Sequence, residues 1–440
     1  MDNLFLVYLI FLLFLAFTMM IRWEQKSWFT PPVLFSLVCT LLIGFSVILA
    51  PGFYYSPKAL LFIFSIDLVF YAGTFITGHF CKKSTIEIRN RNNAIQNLTR
   101  KEAFLSFVII GGALAGLFAV ILLLAKYRQL FSSQFSLKEY ISLAHKMSRD
   151  RYDGIRLPMS IMFCNSMAYV ACLTGGFLLA ITRKKSLKFF SIMPLLTFAL
   201  FTLLYTARAV FLYSVIIFLS SYISSKLLCN GYHFKLFTRR NLITGSIIFI
   251  FISALSVITQ LGRENLSNLS MQGMEEVTSH LKISSLGNIS GFSVWFDKIL
   301  ENPYTEMGKY TFGGIFELIS DYHRELGVFP DFVFIGPYGE ATNIFTVFRF
   351  FLEDGSFLTI YAIIFVAGCT SEYCIHRLIR RDIRVLPLFC IIYSFILWSF
   401  IGSVFINNSI IFAFVIFTGI IYYMATDRLT SGKSNEKRSA

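Results

Sequence analysis

Residues 342–355 combine polar, cationic and acidic side chains in an otherwise mostly apolar chain, where they read TNIFTVFRFFLEDG. Asn343, Thr346 and Arg349 follow one another at intervals of three residues, which on a helix places them within one broad face. Two carboxylates and a glycine come next, just before a long apolar run. Such a set suits a site that holds an anionic head group and moves a proton. The alternative is an interfacial helix whose charges are merely solvated.

Two further arginines occupy positions where a charge is costly. Arg208 lies in LYTARAVFL, where two apolar runs meet with almost no linker, and Arg263 follows the next outward run in ITQLGRE. Charges at such positions are usually functional or paired, and a guanidinium can bind phosphate through two parallel hydrogen bonds. We therefore expect Arg208, Arg263 and Arg349 to clamp a pyrophosphate. Simple anchoring of helix ends at the interface remains the alternative for each.

The composition predicts that the elements which position these side chains are membrane-spanning helices. The chain has 440 residues, of which 56% are hydrophobic, 17% aromatic and only 15% charged. Runs of 18 or more apolar residues recur, so we predict an all-α polytopic integral membrane protein with one domain over residues 1–425. About eleven spans are expected: roughly 4–21, 33–53, 59–80, 103–125, 158–182, 189–206, 209–226, 242–261, 356–376, 386–405 and 409–425.

The formal net charge of +14 is sorted by membrane side rather than gathered for nucleic acid. Most Lys and Arg residues fall in short loops on one side, which predicts a periplasmic N-terminus and a cytoplasmic C-terminus. Two long external loops follow, about 126–157 and 262–355, the second between the eighth and ninth spans. Ser136 and Glu139 form a possible capping box for a short helix in the first loop. Residues 426–440 are predicted to be a disordered cytoplasmic tail.

Several kinds of chemistry have no signal in the sequence. It contains no phosphate-cradling glycine loop, no nucleotide-binding motif and no His/Cys metal cluster, so no metal or cofactor is expected. The eight cysteines fall in predicted helices or on the predicted cytoplasmic side, so disulfides are not expected. Asp67, inside the third span, is either a structural partner for a polar residue such as Asn165 or part of an ion path.

The 342–355 segment resembles the short motif of the Wzy-type O-antigen polymerases, which are oligosaccharide repeat-unit polymerases of bacterial envelopes. The matching positions include Asn343, Thr346, Asp354 and Gly355, although here no aromatic residue separates the last two. Thr206–Ala207–Arg208 is similar to the Thr/Ser-x-Arg element of that family, and Arg263 to a basic residue that the family tends to place there. At residue level the resemblance covers only these segments, whereas in architecture it covers most of the chain.

The resemblance implies a membrane glycosyltransferase of lipopolysaccharide biosynthesis in the bacterial inner membrane. Its donor would be a growing chain on undecaprenyl pyrophosphate, transferred to a new lipid-linked unit at the periplasmic face. The acceptor hydroxyl needs one base, and Asp354 is the first choice, ahead of Glu340 and His323. The pyrophosphate leaves readily, so the paired carboxylates of a glycosidase are not required. Asn343 and Thr346 would contact sugar or shape the motif.

The family also implies partners and alternatives. A repeat-unit flippase would deliver substrate, a chain-length-determining co-polymerase would set polymer length, and membrane lipid would surround the spans. An O-antigen ligase is the alternative enzyme, since it is also external, polytopic and uses lipid pyrophosphates. A polysaccharide flippase is the alternative from another class. Flippases usually have internal repeats and charges inside the bundle, whereas this chain has few such charges and a large external loop.

Overall fold

The computed structural model describes residues 2–81, 101–130, 136–231, 239–264, 271–300, 308–320 and 329–436. Regular structure in this part of the chain is almost entirely helical, with one small antiparallel hairpin of strands β1 (Val333–Phe334) and β2 (Ala341–Thr342). The helices are α1 (Asp2–Gln25), α2 (Pro31–Leu49), α3 (Pro57–Phe80), α4 (Glu102–Lys126), α5 (Leu137–Tyr152), α6 (Met159–Ile181), α7 (Lys185–Tyr205), α8 (Arg208–Asn230), α9 (Arg239–Glu264), α10 (Met271–Ile299), α11 (Gly313–Ile319), α12 (Val347–Asp354), α13 (Phe357–Ile379), α14 (Leu386–Trp398) and α15 (Asn408–Glu436).

The predicted fold class is confirmed, because ten helices of the described residues are long and apolar enough to cross a membrane. They are α1 to α4, α6 to α9, α13 and α15. Even the shortest, α2 with 19 residues, measures about 28 Å along its axis. A helix satisfies its own backbone hydrogen bonds, which a water-free layer requires. The chain is therefore a multi-pass membrane protein.

Local signals in the sequence set several helix starts. Proline occupies the first turn of α2 and of α3, where its missing N–H is not needed. The predicted capping box of α5 is present: the Ser136 hydroxyl accepts from the Glu139 amide, and the Glu139 carboxylate accepts from the Ser136 amide. Helix α5 packs against α9 and α7, so the first long loop is tied to the ends of two spans.

The predicted tenth span, 386–405, is wrong in length. Helix α14 ends at Trp398 after 13 residues, about 20 Å, and the chain then turns through residues 399–407 before α15 begins. The short helix α12 packs against these turns: the Val347 amide donates to the Ser399 carbonyl at 2.8 Å, and Gly402 lies directly against the Phe350 ring. The apolar run is therefore divided between a short helix and a docking surface for α12.

The end of the chain also departs from expectation. A disordered tail is predicted from residue 426, whereas α15 continues to Glu436, and residues 437–440 lie outside the described part. No proline interrupts this stretch, so the helix of the last span can propagate into it.

The helix ends form two groups. We call one group the loop end; it comprises residues 127–130, 136–158, 206–207 and 399–407 together with α10 to α12. The basic end comprises residues 182–184, 231 and 380–385, and it carries Lys184, which pairs with Glu102 at 3.0 Å. The short basic loops thus gather at one end of the bundle and the long loops at the other.

Helices α3 and α13 approach each other more closely than side chains allow. A Cβ atom at Gly368 would lie 2.3 Å from the Phe70 carbonyl oxygen, and one at Gly73 would lie 2.4 Å from the Phe365 carbonyl oxygen. Small residues are common where membrane helices pack backbone to backbone, because dispersion contacts replace the hydrophobic effect there. The same device joins α6 to α8 at Gly176.

We expect Gly368→Ala to destabilise the protein by about 1–3 kcal/mol, because the added methyl must push α13 away from α3. The measurement is the thermal unfolding midpoint of the purified protein in detergent. Gly419→Ala on α15 is the matched control, since nothing lies within 4 Å of a Cβ there. Equal midpoints for the two variants would contradict the close packing.

Candidate functional site

The polar motif predicted to lie on one helical face is divided between a loop and a helix. Helix α12 begins at Val347 with Thr346 as its N-cap residue, so Asn343 precedes the helix. The prediction of a common face is therefore wrong for Asn343, whose amide reaches the Phe329 carbonyl at 3.4 Å. The reason is the hairpin: β2 ends at Thr342, and the chain must turn before a helix can start.

Arg349 is buried within this segment and has its own ionic partners. Its side chain is only 3% exposed, and its Nε atom lies 3.1 Å from the Glu353 carboxylate, which is fully buried. A terminal nitrogen lies 2.9 Å from the Asp331 carboxylate. The guanidinium also lies over the rings of Phe329 and Phe345, at 3.8 and 4.0 Å from their centroids.

This environment favours a structural role for Arg349, whereas its part in clamping a pyrophosphate stays a prediction. Two carboxylates already offset its charge. Removing one partner of a buried ion pair strongly destabilises the folded protein, because the other charge is left buried without compensation. Arg349 joins α12 to the chain around Phe329 and Asp331. We call this assembly of α12, Arg349, Glu353 and Asp331 the cap anchor.

Asp354 fixes another part of the same region. Its carboxylate accepts hydrogen bonds from the backbone amides of Tyr310, at 2.9 Å, and of Thr311. The geometry gives Asp354 a positioning role for the chain before α11, and its role as catalytic base stays a prediction.

The other residues predicted to bind substrate either make no contact that links them to Arg208 or Arg263, or lie outside the described part of the chain. Thr346 is buried, and its hydroxyl has no hydrogen-bond partner among the described residues. Glu340 lies at the turn of the β1–β2 hairpin, where it accepts from the Tyr338 amide at 2.9 Å. His323 lies outside the described residues. None of these contacts links the hairpin turn to Arg208 or Arg263.

Arg208 and Arg263 do come together, at the loop end. Arg208 is the first residue of α8, and Arg263 is the penultimate residue of α9. The Arg263 Nε atom donates to the Thr206 carbonyl at 2.9 Å, and Thr206 is held in the left-handed conformation with φ 55°. The Arg263 carbonyl in turn accepts from His145 Nδ1 at 2.7 Å. Helix α5, the α7–α8 turn and the end of α9 are thus tied at one place.

A third arginine, Arg151, joins them from the last turn of α5. Its guanidinium lies 5.2 Å from the ring centroid of Tyr152 and 5.6 Å from that of Tyr205. Partial burial raises the pKa of the Tyr152 hydroxyl, but the charges of Arg263, Arg151 and Arg208 outweigh it and lower that pKa. Three arginines therefore create a positive potential at one spot, which we call the arginine cluster (Arg151, Arg208 and Arg263).

The carboxylate of Glu264 borders the arginine cluster. Glu264 follows Arg263 directly, interacts electrostatically with Arg208, and accepts a hydrogen bond from the Gln260 amide. His280 of α10 lies 3.7 Å from the same carboxylate. Arg208 and Arg263 both interact with this carboxylate, and Arg151 adds a further positive charge beside Arg263. This excess of positive charge suits a ligand carrying two or more negative charges.

Sequence reasoning missed Arg151, although a signal was present. The residue ends the amphipathic helix that the capping box starts, in the run SRDRYDG. Basic residues in a last helical turn are usually explained by the helix dipole, which hides a second role. Only the packing of α5 against α7 and α9 brings Arg151 to Arg208 and Arg263.

Asp67 does not behave as a structural partner of Asn165. It is fully buried in α3, and neither carboxyl oxygen has a hydrogen-bond partner among the described residues. Asn165 lies on α6, and no hydrogen bond joins the two side chains.

The chain matches no protein-family model, no curated protein and no solved structure. The arrangement of residues at the loop end therefore carries the functional argument.

We expect Arg349→Met to destabilise the protein by about 3–5 kcal/mol, because it leaves Glu353 buried without its cation. The double variant Arg349→Met/Glu353→Leu should recover much of that loss, since it removes both charges. The measurement is the thermal midpoint of each purified variant. An unchanged midpoint for Arg349→Met, together with loss of polymer in cells, would make Arg349 a substrate ligand instead.

Proposed function

We propose that this protein polymerises lipid-linked oligosaccharide repeat units at the periplasmic face of the bacterial inner membrane. The observation that carries the proposal is the arginine cluster of Arg151, Arg208 and Arg263, which lies where two candidate membrane spans end. The sequence resemblance to repeat-unit polymerases at 206–208, 263 and 342–355 supports the same function.

The position of the cluster suits a pyrophosphate on a polyprenyl chain. Arg208 begins α8 and Arg263 nearly ends α9, so both charges sit where an apolar span meets water. A lipid carrier could keep its hydrocarbon chain beside these helices while its two phosphates contact the cluster. Guanidinium groups remain charged and can bind phosphate oxygens in pairs, which gives orientation as well as affinity.

The reaction needs few other groups. A hydroxyl of the acceptor unit attacks the anomeric carbon of the growing chain, the new glycosidic C–O bond forms, and the bond to the pyrophosphate oxygen breaks. The arginine cluster stabilises the charge that develops on the departing pyrophosphate. The hydroxyl proton passes to a carboxylate, and we assign this role to Glu264 because it borders the cluster while Asp354 holds the chain before α11.

The loop end also offers surfaces for sugar rings. The hairpin exposes Phe334 and Tyr338, the latter by 92%, whereas Trp295 is buried against the cap anchor. Exposed aromatic rings pack well on the apolar faces of sugars. Phe334 and Tyr338 are therefore the stacking candidates of the hairpin, and the cap anchor would hold that hairpin over the bundle. A flippase and a co-polymerase remain the partners that the resemblance implies.

The test is the gel profile of surface polysaccharide from a strain that lacks this gene and carries either the wild type or Arg151→Gln. We expect the wild type to give a ladder and Arg151→Gln to give core with a single repeat unit, because the pyrophosphate loses one of three cations. Arg149→Gln is the matched control, since Arg149 is exposed on the same helical turn. Immunoblots verify equal protein amounts.

Two outcomes would contradict the proposal. A full ladder from Arg151→Gln at normal protein level would remove the cluster from the reaction. A deletion strain whose core carries no repeat unit at all would indicate ligation or transport rather than polymerisation. The side of the membrane on which lipid-linked units accumulate would then separate a ligase from a flippase. If Asp67→Asn also failed to restore surface polysaccharide to the deletion strain, the flippase would be favoured.

A further inference from the structure

A cleft opens at the basic end, on the opposite side of the bundle from the arginine cluster. It has a volume of about 490 Å³ and lies between the end of α13, the residues that precede α14, and the middle of α15. Its lining includes Arg377, Arg380, Arg381 and Arg384 with a single carboxylate, Asp382. The proposed glycosyl transfer makes no use of this cleft.

Asp382 fixes two of the arginines. Its carboxylate lies 2.6 Å from a terminal nitrogen of Arg377 and 2.9 Å from Nε of Arg384. Burial raises the pKa of Asp382, but the bonds from Arg384 and Arg377 outweigh it and lower that pKa. The carboxylate therefore stays charged, and the lining of the cleft carries four arginines to this one carboxylate.

Arg381 is held by a different device. Its backbone adopts the left-handed conformation with φ 66°, which is disfavoured for a residue that carries a side chain. Its guanidinium donates to the Leu228 carbonyl and to the Cys229 carbonyl, the latter at 2.9 Å, at the C-terminal end of α8. Strained backbone at a preorganised charged cleft is a feature of binding sites, whereas charges that only anchor a helix need no such geometry.

The walls of the cleft are not uniformly polar. Ile383, Ala425 and Tyr422 line it, and Tyr422 is 51% exposed on α15. The same helix exposes Val415 and Phe412 farther along the span. A ligand with an anionic head at the arginines and hydrocarbon along α15 would match both surfaces.

We propose that this cleft binds the phosphate head group of an anionic phospholipid, whose acyl chains follow the exposed face of α15. The phosphate contacts Arg380 and Arg384 at the rim. Asp382 keeps Arg384 and Arg377 in position, and the α8 carbonyls hold Arg381. Basic pockets between membrane helices bind anionic lipids in this way, and each arginine near the surface contributes about 1 kcal/mol.

The test measures lipid retention by native mass spectrometry of the purified full-length protein. The probes are phosphatidylglycerol and phosphatidylcholine at equal concentration, and inorganic phosphate serves as a competitor. We expect the wild type to retain phosphatidylglycerol, and Arg380→Gln/Arg384→Gln to retain it roughly 10- to 30-fold less, because two rim cations are lost. Inorganic phosphate should compete poorly, since it lacks acyl chains.

The matched control is Arg183→Gln/Lys185→Gln, which removes two exposed cations from the same basic end outside the cleft. It should retain phosphatidylglycerol as the wild type does. Equal losses in the two double variants would mean that diffuse charge, not the cleft, attracts lipid. Efficient competition by inorganic phosphate would assign the cleft to free phosphate. If the rim double variant elutes as aggregate, the single variant Arg384→Gln provides the same comparison.

Discussion

Charged side chains are costly inside an apolar layer, and this cost decides where the arginines of this chain lie. Arg208 and Arg263 occupy the ends of long helices, Arg381 crosses to the carbonyl end of another, and Arg349 is buried only because Glu353 and Asp331 pair with it. Each placement leaves charge concentrated at one of the two ends of the bundle. The arginine cluster and the cleft at the basic end both follow from this separation.

The cap anchor depends on a second constraint, the shortness of α14. Because that helix stops at Trp398, residues 399–407 leave backbone groups that need partners, and neighbouring elements provide several of them. The Asn288 amide donates to the Phe400 carbonyl at 2.7 Å, and the Ser403 hydroxyl donates to the Thr311 carbonyl at 2.8 Å. The long loop is thus held onto the bundle by the same groups that an interrupted span leaves exposed.

Much of the fold could be predicted from the sequence, because apolar runs of sufficient length have few other solutions in a membrane. The run 386–405 shows the limit: its composition fits a span, yet it is helical only to Trp398, and α12 packs against the residues that follow. The candidate site could be predicted only in part from the sequence. The spacing of Asn343, Thr346 and Arg349 fits a helical face, but the hairpin before Val347 interrupts it. Arg151 could not be linked to Arg208, because only tertiary packing of α5 joins them.

Binding of a lipid carrier's pyrophosphate by the arginine cluster can be measured on the purified protein. We would compare the affinities of the wild type and of Arg208→Gln for undecaprenyl pyrophosphate and for undecaprenyl monophosphate. We expect the wild type to prefer the pyrophosphate and Arg208→Gln to bind the pyrophosphate about tenfold more weakly, with a smaller effect on the monophosphate. Equal affinities of the folded variant and the wild type for the pyrophosphate would contradict binding by the cluster.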